Sequence, residues 1–328
     1  MVQEIKPGLY RIEIPLPNNP LRALNSYVFK AEERNLIVDT GFDREECYEA
    51  LHNGLRELEI DLNKTDFFIT HLHADHSGLV HRLVTPSSKV YASEHDGQAI
   101  LAAAVSNNYW DQVREYAGRC GFPKEELEKA IFRHPGYKYG NKKKITFTYV
   151  SDGDIIKVGD YTLTCVAVPG HTQGLMCLYE KEKKILLSGD HILGEITPNI
   201  SLWSDDFNPL AQYLDSLDKV YQLDITLTLP SHRQILGDCK PRIAELKKHH
   251  AERLAEVEKI LANNGELNAY QVASKMTWDM TYDSFFDFPT PQKWFALGEA
   301  IAHLKYLADN RSIRQIIQGD QIYYRKDN

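Results

Sequence analysis

Apolar positions along this chain mark out strands and helices before any chemistry is considered. Gly8 to Pro15 and Asn25 to Lys30 have strand-like spacing, and Arg34 to Thr40 forms a third run closed by Gly41. From Arg44 to Leu58 the period changes, with Cys47, Leu51, Leu55 and Leu58 recurring at helical intervals. The run Phe67-Phe68-Ile69-Thr70 predicts another strand, followed by a helix near Ser77 to Leu83 and a strand from Lys89 to Ala92. Tyr161 to Val168, Ile185 to Leu187 and Thr226 to Pro230 continue in the same style, each ending in a polar loop.

Two regions depart from this texture. Between about residues 100 and 144 lies an insertion of helix formers and aromatics, including Tyr109, Trp110, Tyr116, Phe122, Phe132, Tyr137 and Tyr139. After residue 238 the chain turns helical. Pro241 to Asn264 puts Ile243, Leu246, His250, Leu254, Val257 and Leu261 on one stripe. Helices over Ala269 to Lys275 and Gln292 to Leu307 follow, then a hairpin, Ile313 to Ile317 and Gln321 to Tyr324, around a Gly319-Asp320 turn. Three helices and a hairpin resemble a winged helix. The expected division is therefore a domain of residues 1–238 and a small winged-helix-like domain of residues 239–328.

The densest chemistry is His71-Leu72-His73-Ala74-Asp75-His76, directly after an apolar strand. Neutral imidazole and carboxylate are ligands for zinc and its first-row neighbours. His71 and His73 fall on one side of an extended segment, while Asp75 and His76 follow where the chain turns toward a helix. That geometry suits two adjacent metals. His171, Asp190 and His232 each stand just past the end of a strand-like run, where loops can converge on one sheet edge.

In this order the residues resemble the metallo-beta-lactamase superfamily, whose pattern is HxHxDH, a distant His, an Asp and a final His. The resemblance covers about residues 8 to 240 and implies an α/β fold, a four-layer αββα sandwich. It implies that His71, His73 and His171 hold one divalent ion, that Asp75, His76 and His232 hold a second, and that Asp190 bridges them. Zinc is the first expectation, with iron and manganese compatible with the same ligands. An insertion such as that at 100–144 often lids the site in this family. Asp39, closing the Val38-Asp39-Thr40-Gly41 run, is expected to fix the ligand loop from behind.

Composition narrows the rest. The chain has 328 residues, 43% hydrophobic and 26% charged, as in soluble globular proteins. No apolar run reaches membrane-spanning length and the first residues lack a signal-peptide core, so a cytoplasmic protein is expected. Five cysteines without CxxC spacing argue against a disulfide framework. The net charge is -8. Residues 1–239 carry 25 basic and 34 acidic side chains and the remainder 13 and 12, so neither part offers the basic face of a nucleic-acid binder. Lys142-Lys143-Lys144 reads first as a solvated charge run, and only second as an attractor of anions. Homo-oligomerisation stays open.

The expected function is a binuclear metal-dependent hydrolase, with a metal-bridging hydroxide acting on an ester or thioester of a small metabolite or acyl carrier. Asp75 and Asp190 are the candidate catalytic carboxylates, Asp75 orienting the attacking hydroxide. Arg233 is a candidate anchor for a substrate anion, with a salt bridge as the competing reading. His191 reads as a buried polar neighbour or a proton donor to the leaving group. The tail and the Asp190-x-Ile192-Leu193-Gly194 stretch look closest to a branch that includes a mitochondrial endoribonuclease and fungal polyketide-releasing thioesterases. Two alternatives therefore stand beside the first, an endoribonuclease acting on single-stranded RNA and a DNA-binding regulator with a degenerate hydrolase domain.

Overall fold

Strands that are apolar on both faces must be covered on both faces, so sheets stack and helices close the outsides. The computed structural model describes residues 1–105 and 108–327 and has this layered arrangement. The first sheet runs in order β1 (Val2–Lys6), β2 (Leu9–Pro15), β3 (Ala23–Phe29), β4 (Asn35–Val38), β5 (Thr65–Phe68), β6 (Val90–Ser93) and β7 (Phe147–Val150). It is antiparallel as far as β4 and parallel beyond. The second sheet contains β8 (Ile155–Val158), β9 (Tyr161–Ala167), β10 (Met176–Glu180), β11 (Ile185–Gly189) and β12 (Leu227–Pro230), with β11 and β12 parallel.

Side-chain alternation divides the cores. Leu36 and Val38 of β4 lie in the core between the sheets with Leu178 and Leu187, while Ile37 faces a helix layer with Leu51 and Leu55. On the other side Cys177 and Tyr179 alternate away from Leu178 into a third cluster. This is the αββα sandwich.

The helices are α1 (Glu45–Glu57), α2 (Ala74–Ser77), α3 (Val80–Leu83), α4 (Glu94–Val105), α5 (Asn108–Arg119), α6 (Lys124–Arg133), α7 (Pro135–Tyr139), α8 (Pro209–Tyr221), α9 (Lys240–Asn264), α10 (Ala269–Ala273) and α11 (Thr290–Asp309). Three features differ from the sequence expectation. β5 stops at Phe68, two residues before Thr70, and the helix expected near Ser77 starts at Ala74 and breaks into α2 and α3. Asp75 and His76 therefore ride on helix α2. Helix α8 was not anticipated, although Asn208 caps it at Ala211 N–H (3.0 Å), a proline opens it and Leu210, Tyr213, Leu217 and Val220 form its stripe.

The C-terminal order is α9, strand β13 (Leu267–Asn268), α10, α11 and the hairpin β14 (Arg314–Gln318) and β15 (Gln321–Arg325), with β15 central in a three-stranded sheet. Its apolar residues, Leu246, Leu297 and Ile301 among them, share one cluster with Cys177 and Leu186 of the second sheet and with Trp110 and Phe122 of the insertion. Trp294 of α11 stacks on Trp203 at 4.3 Å and meets Phe122 edge-on at 5.4 Å. A winged-helix reader would need α11 free to enter a groove. Here most of its length is buried.

Trp294→Ala is expected to cost about 3–5 kcal/mol through the cavity it opens, read as a fall in the midpoint of a single denaturant transition. A separate transition for the tail, with the rest unaffected, would contradict the shared core.

Candidate metal centre

β4, β5, β9, β11 and β12 are followed by Asp39, the 70–76 loop, His171, Asp190 and His232 respectively. Backbone bonds join these loops across the two sheets. Met176 N–H donates to Thr70 O (2.9 Å), Asn25 N–H to Ser231 O (2.7 Å) and Ser231 N–H to Gly189 O (3.1 Å). Before His171, Gly170 has φ 144°, and a Cβ there would lie 2.5 Å from Tyr213 Cβ. Only glycine lets that turn pass over α8.

The result is three interlocking groups: His71, His73 and His171; His71, His76 and Asp190; and Asp75, His76 and His232. Within each, one ligand atom per residue lies within 4.8 Å of the others. His71 Nε2 and His171 Nε2 are each 3.0 Å from His73 Nδ1. Nitrogens sharing one tetrahedral zinc would stand about 3.3 Å apart at ordinary bond lengths. Asp75 Oδ2 is 3.3 Å from His232 Nε2. Asp190 Oδ2 lies 3.6 Å from His76 Nε2 and His171 Nε2 and 3.5 Å from His232 Nε2, so one carboxylate reaches both sets of imidazoles.

His76 Nε2, His232 Nε2 and Asp190 Oδ1 are buried with no hydrogen-bond partner. Unpaired buried polar atoms are costly, and a cluster of them with this donor chemistry fits divalent cations.

Hydrogen bonds on the far ring nitrogens aim the imidazoles inward. His76 Nδ1 meets Asp39 Oδ2 at 2.7 Å, His171 Nδ1 donates to Asn199 O at 2.8 Å and His232 Nδ1 to Ala23 O at 2.7 Å. Asp39 also accepts from Thr70 N–H (2.9 Å), the Thr70 hydroxyl (2.8 Å) and the Ser231 hydroxyl (3.2 Å). The Thr70 oxygen then faces His71 Nδ1 at 3.1 Å. Asp39 is fully buried and holds φ 61°, an uncommon conformation for a residue with a side chain.

A second buried carboxylate was missed by sequence reasoning. Asp96 accepts from Leu72 N–H (2.9 Å), Thr172 Oγ1 (2.6 Å) and Gly174 N–H (3.0 Å), clamping the loop of His71 and His73 to that of His171. In sequence it is an acid in a helix's first turn, an ordinary placement that signals nothing.

Electrostatics differ between the two sets. Burial and His76 hold His71 well below its ordinary range, and burial and His171 bring His73 down to about 3. Burial likewise lowers His171. Burial would also lower His76, but Asp39, Asp190 and Asp75 raise it well above 6.5; Asp190 and Asp75 raise His232 against the same penalty. Burial would raise Asp75, yet His76 and His232 hold it down at about 2.

Two expected substrate residues are placed elsewhere. Arg233 was a candidate anion anchor, but its guanidinium donates to Pro20 O (2.7 Å) and does not line the cavity over the site. It braces the Pro17–Leu21 loop, which does. His191 is fully buried edge-on against Tyr213 at 5.3 Å, off the lining, and burial lowers it to about 3. A proton donor to a leaving group needs access that this ring lacks.

The cavity measures about 1740 Å³ and has His73, Asp75, His171 and Asp190 in its lining. Half-buried aromatics, Tyr109 of the insertion, Trp203 and Phe295 among them, stand on its lining, with the buried Trp110 and Trp294 behind them. Helix α11 also supports the centre: Glu299 Oε2 accepts from Asn199 Nδ2 (3.3 Å), and Asn199 O aims His171.

Comparison with known proteins agrees with this geometry. A family model described as the metallo-beta-lactamase superfamily matches residues 20–232, which include all seven expected ligands. A Caenorhabditis elegans "beta-lactamase-like protein 2 homolog" is 26% identical over 286 residues, 85% of this chain and 79% of that protein. The human "acyl-coenzyme A thioesterase MBLAC2" is 28% identical over 226 residues, 65% of this chain and 74% of that one. A solved metallo-beta-lactamase family protein of Thermus thermophilus has a TM-score of 0.78 and 25% identity, covering 99% of this chain and 100% of that one.

Asp39→Ala is expected to weaken metal binding about 10–100-fold with the fold retained, measured by equilibrium dialysis and circular dichroism; wild-type affinity would refute its aiming role. The raised His76 and His232 hold protons that metal must displace, whereas His71, His73 and His171 are already neutral. Metal uptake at neutral pH should therefore release protons, and acidification should empty the Asp75 set before the His73 set. Calorimetry in buffers of different ionisation enthalpy, with metal analysis down a pH series, tests this. Proton-free uptake and loss in one step would count against it.

Proposed function

This chain belongs to the metallo-beta-lactamase superfamily, and from that premise we propose that it hydrolyses an ester or thioester of a small metabolite or acyl carrier, with two divalent ions, zinc foremost. The observation that carries the reading is the set of three interlocking His/Asp groups opening into one large aromatic-walled cavity. The human relative's name, an acyl-coenzyme A thioesterase, supports the substrate class.

His71, His73 and His171 would hold one ion, Asp75, His76 and His232 the other, with Asp190 between them. Divalent ions there supply Lewis acidity and water activation near pH 7. The chain's own residues do the rest. Asp75, held ionised by His76 and His232 against the cost of burial, borders the cavity and can orient a water by accepting its hydrogen bond. Tyr109, Trp203 and Phe295, half-buried on the lining, offer apolar surface to an acyl group and exclude water around it.

The placement of His191 favours thioesters over oxygen esters. With that imidazole buried off the lining, the leaving group gains no proton from it and departs more readily as an anion. Thiols, with pKa values near 8.5, leave this way far better than alcohols. The two nucleic-acid alternatives gain nothing comparable. The buried α11 speaks against groove reading, and no helix among the described residues is long and apolar enough to cross a membrane.

A fully metallated sample assayed on thioesters, oxygen esters, lactones and single-stranded RNA is expected to prefer thioesters. His73→Ala should cut kcat/KM roughly 10³-fold, the several kcal/mol expected of lost metal assistance. Cleavage of RNA alone, or full activity in His73→Ala, would sink the reading.

A further inference from the structure

We propose that the segment Arg133–Lys144 is a subsite for the phosphate groups of a pantetheine-type thiol, the leaving group of the thioester reading on which this inference rests. Arg133, Lys138, Lys142, Lys143 and Lys144 stand within that segment and no Asp or Glu does, in a chain of net charge -8. All five are exposed, and among the described residues none pairs with a carboxylate. Some neighbours do pair, Arg114 with Glu128 at 2.6 Å, Arg44 with Glu46 at 2.6 Å and Lys293 with Glu126 at 3.2 Å, and what sets this segment apart is five cations within twelve residues that include no acid. Five like charges left unpaired in an acid-rich chain repel one another, and an anion relieves that repulsion.

Their position connects them to the chemistry. Arg133, Lys138 and Lys142 line the same cavity as His73 and Asp75. Helix α7 rests on α2, which carries Asp75 and His76. Asp43 N–H donates to Tyr139 O (2.9 Å), and at Gly78 an added Cβ would lie 2.5 Å from that same carbonyl oxygen. Lys138 Nζ lies 4.9 Å from the Tyr139 ring centroid, which also draws the Arg44 guanidinium to 5.1 Å. The basic stretch therefore begins one helix away from the ligand helix and leads to the surface.

The basic segment and the exposed acids of the lining lie on different elements, with Arg44 and Arg119 the lining cations outside the segment. The exposed acids, Glu115, Asp205 and Asp206, come from α5 and from the segment before α8. A polynucleotide tracking across the cavity would meet those acids, whereas a compact phosphate group at the end of a flexible thiol meets only the basic segment. Acyl chain against aromatic wall, thioester at the centre and phosphate at Arg133–Lys144 is the layout this implies. Phosphates borne by free coenzyme A or by a carrier protein's prosthetic arm share this chemistry.

The test uses the metallated full-length protein and the double variant Lys138→Glu with Lys142→Glu, both exposed positions. Lys138→Arg with Lys142→Arg serves as the charge-preserving rescue, and Lys157→Glu with Lys181→Glu as the remote control. Calorimetry with free coenzyme A reads binding independently of hydrolysis; paired acyl-coenzyme A, acylated carrier protein and phosphate-free N-acetylcysteamine thioesters read KM. The charge reversal should weaken coenzyme A binding and raise acyl-coenzyme A KM at least about tenfold. The N-acetylcysteamine thioester and the remote control should be unaffected, and the arginine pair should restore binding. A larger effect on the acylated carrier protein than on acyl-coenzyme A would assign the same subsite to the carrier's arm. Unchanged coenzyme A binding and unchanged carrier-protein KM in the reversal, or equal loss on the phosphate-free thioester, overturns the subsite. Lysine-dependent coenzyme A binding without hydrolysis of any thioester would keep the subsite and overturn the thioesterase reading. Lysine-dependent binding of single-stranded RNA with none of coenzyme A would overturn the proposal in favour of a polynucleotide.

Discussion

The buried carboxylate of Asp39 is the constraint on which the centre hangs. Taking a carboxylate out of water is tolerable only when donors replace its hydration. Its donors come from three places in the chain: Thr70 after β5, His76 on α2 and Ser231 after β12. Satisfying them together puts the ends of both sheets in register, and the imidazoles of His71 and His76 are aimed as a consequence. Asp96 does the same for the other half, joining Leu72 to Thr172 and Gly174. Two carboxylates that do not face the reacting groups thus set the geometry of those that do.

Around this centre, chemistry and recognition are assigned to different parts of the chain. The candidate ligands come from the loops after sandwich strands and from helix α2. The cavity that frames them comes largely from the insertion and from the segment Leu193–Phe207, with α11 adding Gln292 and Phe295; the insertion and α11 share a core with the outer face of the second sheet. The C-terminal region is therefore a wall of the site, and through Glu299 and Asn199 it also supports the orientation of His171. Charge is divided as well. Within an acidic chain, the segment Arg133–Lys144 beside α2 carries five cations and no acid, and three of them stand on the cavity lining.

Legibility followed locality. His71, His73, Asp75 and His76 announced themselves because they are close in sequence, and His171, Asp190 and His232 because each follows an apolar strand. Asp39 was suspected from its place at a strand end. Asp96 was invisible, since its partners lie 24, 76 and 78 residues away and nothing in the first turn of α4 requires them. Helix α8 is the opposite case, because its stripe and its Asn208 cap are local features of the sequence.

The amino-acid sequence by itself determined the alternation that stacks two sheets, the ligand types and the family, because periodicity and donor chemistry are local properties of the chain. Tertiary structure alone decided which groups face the reaction. Arg233, readable as a substrate anchor or a salt-bridge partner, is a brace for the Pro17–Leu21 loop, and of the two readings of His191 the buried polar neighbour is the one that packing against Tyr213 supports. Lys142, in a run that reads first as solvated charge, stands on the cavity lining together with Lys138. The direction in which a side chain points depends on packing between segments far apart in sequence, and no local pattern encodes it.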